Sequence, residues 1–234
     1  MDRSRLAWTA GLLGLTAPLM VLALYLIFHY APDEKVMGPV QKIFYFHVPV
    51  AMVAFLSTFV MLGASIGFLW TRARVWDDLA RSATEQALLF CALVLITGPI
   101  WAKPAWGVWW TWEAKLTTTL LLALLLSASL LVRRYAMDPE QGARIASVLG
   151  IVAALDVPII HKAVDWWRGQ HPLVFGPGRA SPLDPRMKTT FFVCLGVFVL
   201  LYGLFLAVRM RVLSHEHRVQ ALAEGWAART GGSF

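Results

Sequence analysis

The sequence predicts an all-α fold, a polytopic membrane helix bundle, and three observations predict it. Hydrophobic residues make up 58% of the 234 and charged ones only 15%, with a mean hydropathy of +0.62, whereas soluble domains carry about one quarter charged residues. Apolar runs of roughly 20 residues, the length that crosses about 30 Å of hydrocarbon, recur six times, near 6–28, 46–70, 83–102, 116–132, 144–160 and 189–208. The connections leave little room for a soluble unit, so residues 1–234 read as a single integral membrane domain.

Each span has its own punctuation. The first follows Arg3 and Arg5 and exceeds the roughly 7 to 15 apolar residues of a signal peptide, so it is expected to be retained. The second opens with KIFYFHVPVA, which puts His47 at its start. Ser82-Ala-Thr-Glu85 has capping-box spacing, in which hydroxyl and carboxylate satisfy the free donors of a new helix; span three is expected to begin there. Gly98-Pro99 is expected to kink or stop it, because proline lacks the N–H that the helix needs. The fourth span follows WAKPAWGVWWTWEAKLTT, residues 101–118. Pro158 comes near the end of the fifth, and 161–188 carries Pro172, Gly176, Pro177, Gly178, Pro182 and Pro185, which is turn chemistry ahead of span six.

Six spans put both termini on one side. Arg3, Arg5, Arg72, Arg74, Arg81, Arg133, Arg134, Arg144, Arg209, Arg211, Arg218 and Arg229 fall on that side, a majority of the 21 basic residues. The positive-inside rule then makes the termini cytoplasmic and turns 29–46, 103–115 and 161–188 outward from the cytoplasmic (inner) membrane. This bias beside anionic lipid accounts for most of the net charge of +7, and no clustered basic patch speaks for nucleic acid. Cys91 and Cys194 lie in spans and form no CxxC pair, and there is no CxxCH, so neither a redox dithiol nor covalently attached haem is indicated.

The outward segments and the span ends beside them hold Trp101, Trp106, Trp109, Trp110, Trp112, Trp166 and Trp167 of the 11 tryptophans, and His29, His47, His161 and His171 of the 6 histidines. An interfacial aromatic belt is the plain alternative, but a belt spreads its rings over both faces. If 105–115 forms a helical turn or two, Trp106, Trp109, Trp110 and Glu113 share a side and Trp112 points elsewhere. That gives a polarisable shelf with cations at its edges, suited to a flat apolar ligand with acidic groups, such as porphyrin. Neutral imidazole is a standard axial ligand of haem iron. His47, at a helix end, and His171 in DWWRGQHP lie on the same side, and both can reach one iron above the shelf.

The stretch Trp106-Gly-Val-Trp109-Trp110-Thr-Trp112-Glu113-Ala-Lys115-Leu-Thr117 resembles the tryptophan-rich WGxWWxWDxRLT (WWD-type) signature of the haem-handling membrane proteins of cytochrome c maturation. The six-span length, KIFYFHVP around His47, and PIIHKAVDWWRGQH ending at His171 are similar to the CcmC haem-delivery family among them. The resemblance implies haem held transiently, as b-type haem, at the outer face by His47 and His171 as axial ligands. It makes Trp106, Trp109, Trp110, Trp112, Glu113, Lys115, Trp166 and Trp167 the surrounding cofactor-binding residues. It further implies association with an ABC-type complex (CcmA, CcmB and CcmD-like subunits) and delivery of haem to the periplasmic chaperone CcmE, which docks on the Trp-rich segment. Glu113 stands where the signature has aspartate and Lys115 where it has arginine, so the charges persist but the two-pronged grip of arginine on a carboxylate does not.

Other residues are assigned more plainly. His161 competes with His171 as ligand, although the motif favours the histidine after the Trp pair. His29 is interfacial, and His215 and His217 belong to a polar cytoplasmic tail. Asp156 is an intramembrane acid, a functional candidate by position or a snorkelling structural one. Asp165 could orient a histidine. The function expected is haem binding and transfer rather than enzymatic catalysis. The alternatives are a b-type electron-transfer or quinol-oxidising cytochrome, which usually seats its histidine pairs within the bundle, and a haem permease subunit, for which the spans carry few polar residues.

Overall fold

Six helices long and apolar enough to cross a membrane make up the computed structural model, which describes residues 3–167, 171 and 183–230. They are α1 (Arg3–Tyr25), α2 (Phe44–Thr71), α3 (Arg74–Trp106), α4 (Ala114–Tyr135), α5 (Pro139–Trp167) and α6 (Pro185–Thr230). A π turn, Leu26–Tyr30, carries α1 on through His29, and a 3-10 turn, Pro39–Ile43, leads into α2. The sequence-based expectation of an all-α six-span bundle therefore holds. The proline- and glycine-rich stretch 172–182 lies outside the described residues.

Helix α2 is the hub, packing on α3, α5 and α6, while α4 packs on α5 and α3, and α1 lies against α6. One core joins Met61, Ala87, Cys91, Leu122, Leu126, Ala153, Val157 and Ile160 across α2 to α5. A second joins Ile27, Phe44, Tyr45, Met187, Phe191 and Cys194 beside the Trp-rich end. Both cysteines are buried and unpaired. Large apolar side chains such as Val21, Phe59, Leu124, Leu155 and Phe192 stay exposed on the outside, as expected of helices whose outer face meets lipid.

Helix α5 approaches its neighbours through small residues. Gly142, Ala143, Ala146, Ser147, Gly150, Ala153 and Ala154 are all buried. A Cβ on Gly150 would stand 3.2 Å from Ser65 Oγ and 3.3 Å from Met61 Sδ, and one on Gly142 would stand 2.6 Å from Ala136 Cβ. In lipid, where no hydrophobic force drives helices together, such close backbone approach supplies the van der Waals contact that does.

Several helix limits differ from those expected. Helix α3 starts at Arg74, two turns before the Ser82–Glu85 box. Arg72 closes α2 in the left-handed region at φ 58°, and Thr71 Oγ1 accepts the Ala73 N–H at 3.2 Å, so a short turn joins the two helices. Ser82 is fully buried, and Glu85 does not cap. Instead its carboxylate accepts from Arg81 Nε at 3.3 Å and from two guanidinium nitrogens of Arg209 on α6, one of them at 2.9 Å. At the other end α3 runs through Gly98-Pro99 and Pro104 to Trp106. Packed neighbours sustain a helix past proline in a membrane bundle. Helix α5 likewise passes Pro158, so His161, Asp165, Trp166 and Trp167 are helical rather than in a loop. Helix α6 extends the expected span and makes the polar tail helical as well.

Candidate functional site

The α3–α4 connection is only Gly107 to Glu113. Gly107 ends α3 in the left-handed region at φ 79°, its N–H donating to the Lys103 carbonyl at 2.9 Å while Lys103 Nζ donates to the Gly107 carbonyl at 2.8 Å. The chain then runs without helix to Glu113, the N-cap of α4. The helical turn expected over 105–115 is therefore absent, because the helix has already been terminated by the glycine. Trp106 belongs to α3, whereas Trp109, Trp110 and Trp112 lie on the non-helical connection and share no helical face.

His47 sits in the first turn of α2 and is 8% exposed. Its Nδ1 is 2.8 Å from Thr97 Oγ1, and its ring stands edge-to-face to Trp101 with centroids 5.7 Å apart. The Thr97 hydroxyl also donates to the Leu93 carbonyl at 2.7 Å. Gly98 leaves room beside the imidazole, since a Cβ there would stand 3.4 Å from His47 Cε1. His171 is partly buried between the Trp106 ring, edge-to-face at 5.5 Å, and the Glu113 carboxylate, which its Nδ1 contacts.

Burial and then the neighbouring Lys115 cation push the His171 pKa below the ordinary value, and the Glu113 carboxylate opposes this only in part. His171 and Lys115 also act electrostatically on His47. The last three turns of α3 thus serve both imidazoles, with Thr97 and Trp101 against His47 and Trp106 against His171. Lys115, in the first turn of α4, bears on both.

The remaining rings lie farther out. Trp109 and Trp112 are 58% and 75% exposed, and Trp112 meets Trp110 edge-to-face at 5.7 Å. Trp166 and Trp167, both exposed at the end of α5, pack on each other. His161 is exposed, and Asp165 pairs with Lys162 at 3.6 Å rather than with a histidine. His29 stacks on Tyr25, and His217 contacts Asp78 at 2.9 Å on the end that bears the termini. Asp156 is buried on α5, and one of its carboxyl oxygens has no partner among the described residues.

A family model described as heme exporter protein C matches residues 3–224. The chain belongs to this family, CcmC. It is 35% identical over 200 residues to the heme exporter protein C of Bradyrhizobium diazoefficiens, covering 85% of this chain and 76% of that protein. It is 33% identical over 189 residues to that of Escherichia coli K12, covering 80% and 75%. A putative cytochrome c biosynthesis ccmC-like mitochondrial protein of Marchantia polymorpha is 28% identical over 200 residues, covering 86% of this chain and 85% of that protein.

The donor set of this CcmC-family chain fits haem as cargo. Two imidazoles stand at one end of the bundle with a cation beside them. The indole N–H groups of Trp101 and Trp110 are buried with no acceptor among the described residues, which is the complement that the carboxylates of a porphyrin lack. A buried donor left unpaired costs about 1–3 kcal/mol, so a bound acceptor would recover that cost. Neither Thr97 nor Trp101 was picked out from sequence as part of the site. The signal was their spacing from Trp106 on one helix, hidden once that helix was expected to kink or stop at Gly98-Pro99.

Proposed function

We propose that this chain binds haem at the outer face of the cytoplasmic membrane and hands it on for cytochrome c maturation, as a binding and transfer protein rather than an enzyme. His47 and His171 are the axial ligands of a transiently held b-type haem. Trp106 and Trp110, with the previously unassigned Trp101, wall the pocket. Lys115 meets a propionate, while Trp109, Trp112, Trp166 and Trp167 present an exposed aromatic rim to the receiving CcmE-like periplasmic chaperone. The chain works within an ABC-type complex with CcmA, CcmB and CcmD-like subunits, both termini in the cytoplasm. One observation carries this reading: two imidazoles, from α2 and from the segment after α5, rest on neighbouring indoles of the same helix end.

The names of the relatives, heme exporter and cytochrome c biosynthesis protein, support it. The chemistry asked of the protein is modest: the porphyrin and the receiving chaperone supply the bond making, and the chain supplies position and release. The test is hemin titration of the detergent-solubilised protein. A six-coordinate low-spin spectrum, converted to five-coordinate by H47A or H171A, is expected. An unchanged spectrum in both variants overturns the assignment, and stoichiometric haem reduced by quinol would make the site one of electron transfer.

A further inference from the structure

We propose that Thr97 and Glu113 are positioning residues that hold His47 and His171 as Nδ1–H tautomers, so that both Nε2 atoms are left bare toward one iron. This rests on the reading of the two histidines as ligands, but it concerns what stands behind them. A threonine hydroxyl has one proton, and that of Thr97 is directed to backbone carbonyls of its own helix, Leu93 at 2.7 Å and Val94 at 3.5 Å. Toward His47 the Thr97 oxygen is therefore an acceptor, and at 2.8 Å the proton between them belongs to Nδ1. In a neutral imidazole the other nitrogen then carries a lone pair. The Glu113 carboxylate, which only accepts when ionised, imposes the same choice on His171.

Each ring also packs edge-to-face against an indole, Trp101 for His47 and Trp106 for His171. Hydrogen-bond partners of this kind set the tautomer and the basicity of metal-ligating histidines. The two partners are unequal, a neutral hydroxyl behind His47 and an anion behind His171. A carboxylate draws the Nδ1 proton and makes the ring a stronger electron donor, so the His171 side favours ferric iron more than the His47 side does.

The test separates the tautomers from the haem. In haem-free full-length protein with 15N-labelled histidine, two-bond 1H–15N correlations, assigned with H47Q and H171Q, are expected to show protonated Nδ1 and bare Nε2 on both residues. T97V is expected to release His47 into a tautomer mixture and to weaken hemin binding roughly 10- to 100-fold, the usual range for such partners; T97S is expected to retain wild-type behaviour. E113Q, which can still accept from Nδ1, is expected to keep the tautomer but raise the haem reduction potential. An unprotonated Nδ1 in the wild type, or hemin affinity unmoved by T97V, overturns the positioning roles alone. Hemin spectra unmoved by H47A and H171A would instead bring down the ligand reading beneath them.

Discussion

His47 on α2 and Trp101 on α3 stand edge-to-face with ring centroids 5.7 Å apart and planes inclined at 71°. Phe44 touches the same indole at 6.4 Å, so Trp101 is wedged between an imidazole and the aromatic core at this end of the bundle. Trp101→Ala leaves a large hole and is expected to cost about 3–5 kcal/mol, read as a fall in the detergent unfolding midpoint together with lost hemin affinity. Trp101→Phe keeps an edge contact and removes the indole N–H. It is expected to be milder in stability while still weakening hemin, and wild-type hemin affinity in Trp101→Phe would show that the N–H has no part in binding.

Trp109 and Trp112 are mostly exposed, so the fold has little invested in them. The double variant to Ala is expected to change stability by no more than about 0.5 kcal/mol, as exposed substitutions usually do, and to keep the hemin spectrum. Transfer of hemin to the purified chaperone should nonetheless slow at least several-fold. Stopped-flow transfer at the wild-type rate would reduce these rings to an interfacial belt.

His171 gives the haem-free protein a pH dependence with a definite sign. Its folded pKa lies below the ordinary 6.5, chiefly through burial and secondly through Lys115. As pH falls below about 6.5 the unfolded chain takes up this proton first, so stability falls with pH and levels off only below the folded value. H171Q should remove that part of the slope. Lys115→Met removes a repelling cation and is expected to raise the His171 pKa part of the way back, followed by NMR titration of the ring. A downward shift would contradict the arrangement.

Gly150 marks where α5 lies against α2, with Met61 Sδ and Ser65 Oγ close to its missing Cβ. Gly150→Leu is expected to force the helices apart at a cost of about 1–3 kcal/mol, as overpacking does, and to lower the unfolding midpoint. Gly196, which has open space around it, is the control, and Gly196→Ala should leave the midpoint unchanged. Equal effects at the two sites would remove the packing argument.

How much of this was legible in the sequence follows from the range of each cause. Span number and helical class come from length and hydropathy, because the need of a backbone to satisfy itself in hydrocarbon acts within each segment. The Trp-rich signature and His47 at a helix start were likewise local facts. Helix limits were misjudged at Ser82, Pro99 and Pro158 for the opposite reason: a capping box and a proline are rules for an isolated helix. In the bundle Ser82 is buried, Glu85 is claimed by Arg209 from α6, and packed neighbours carry α3 to Trp106 and α5 to Trp167.

Sequence alone therefore determined that the chain is a six-span helical protein with an aromatic connection at one end and histidines available there. Tertiary structure decided which hydroxyl and which indole meet His47, that Glu113 turns to His171, and that Trp109 and Trp112 face outward. These contacts join residues from helices far apart in the chain. Their distances are set by how closely α2, α3 and α5 pack, a property of the bundle that no single segment possesses.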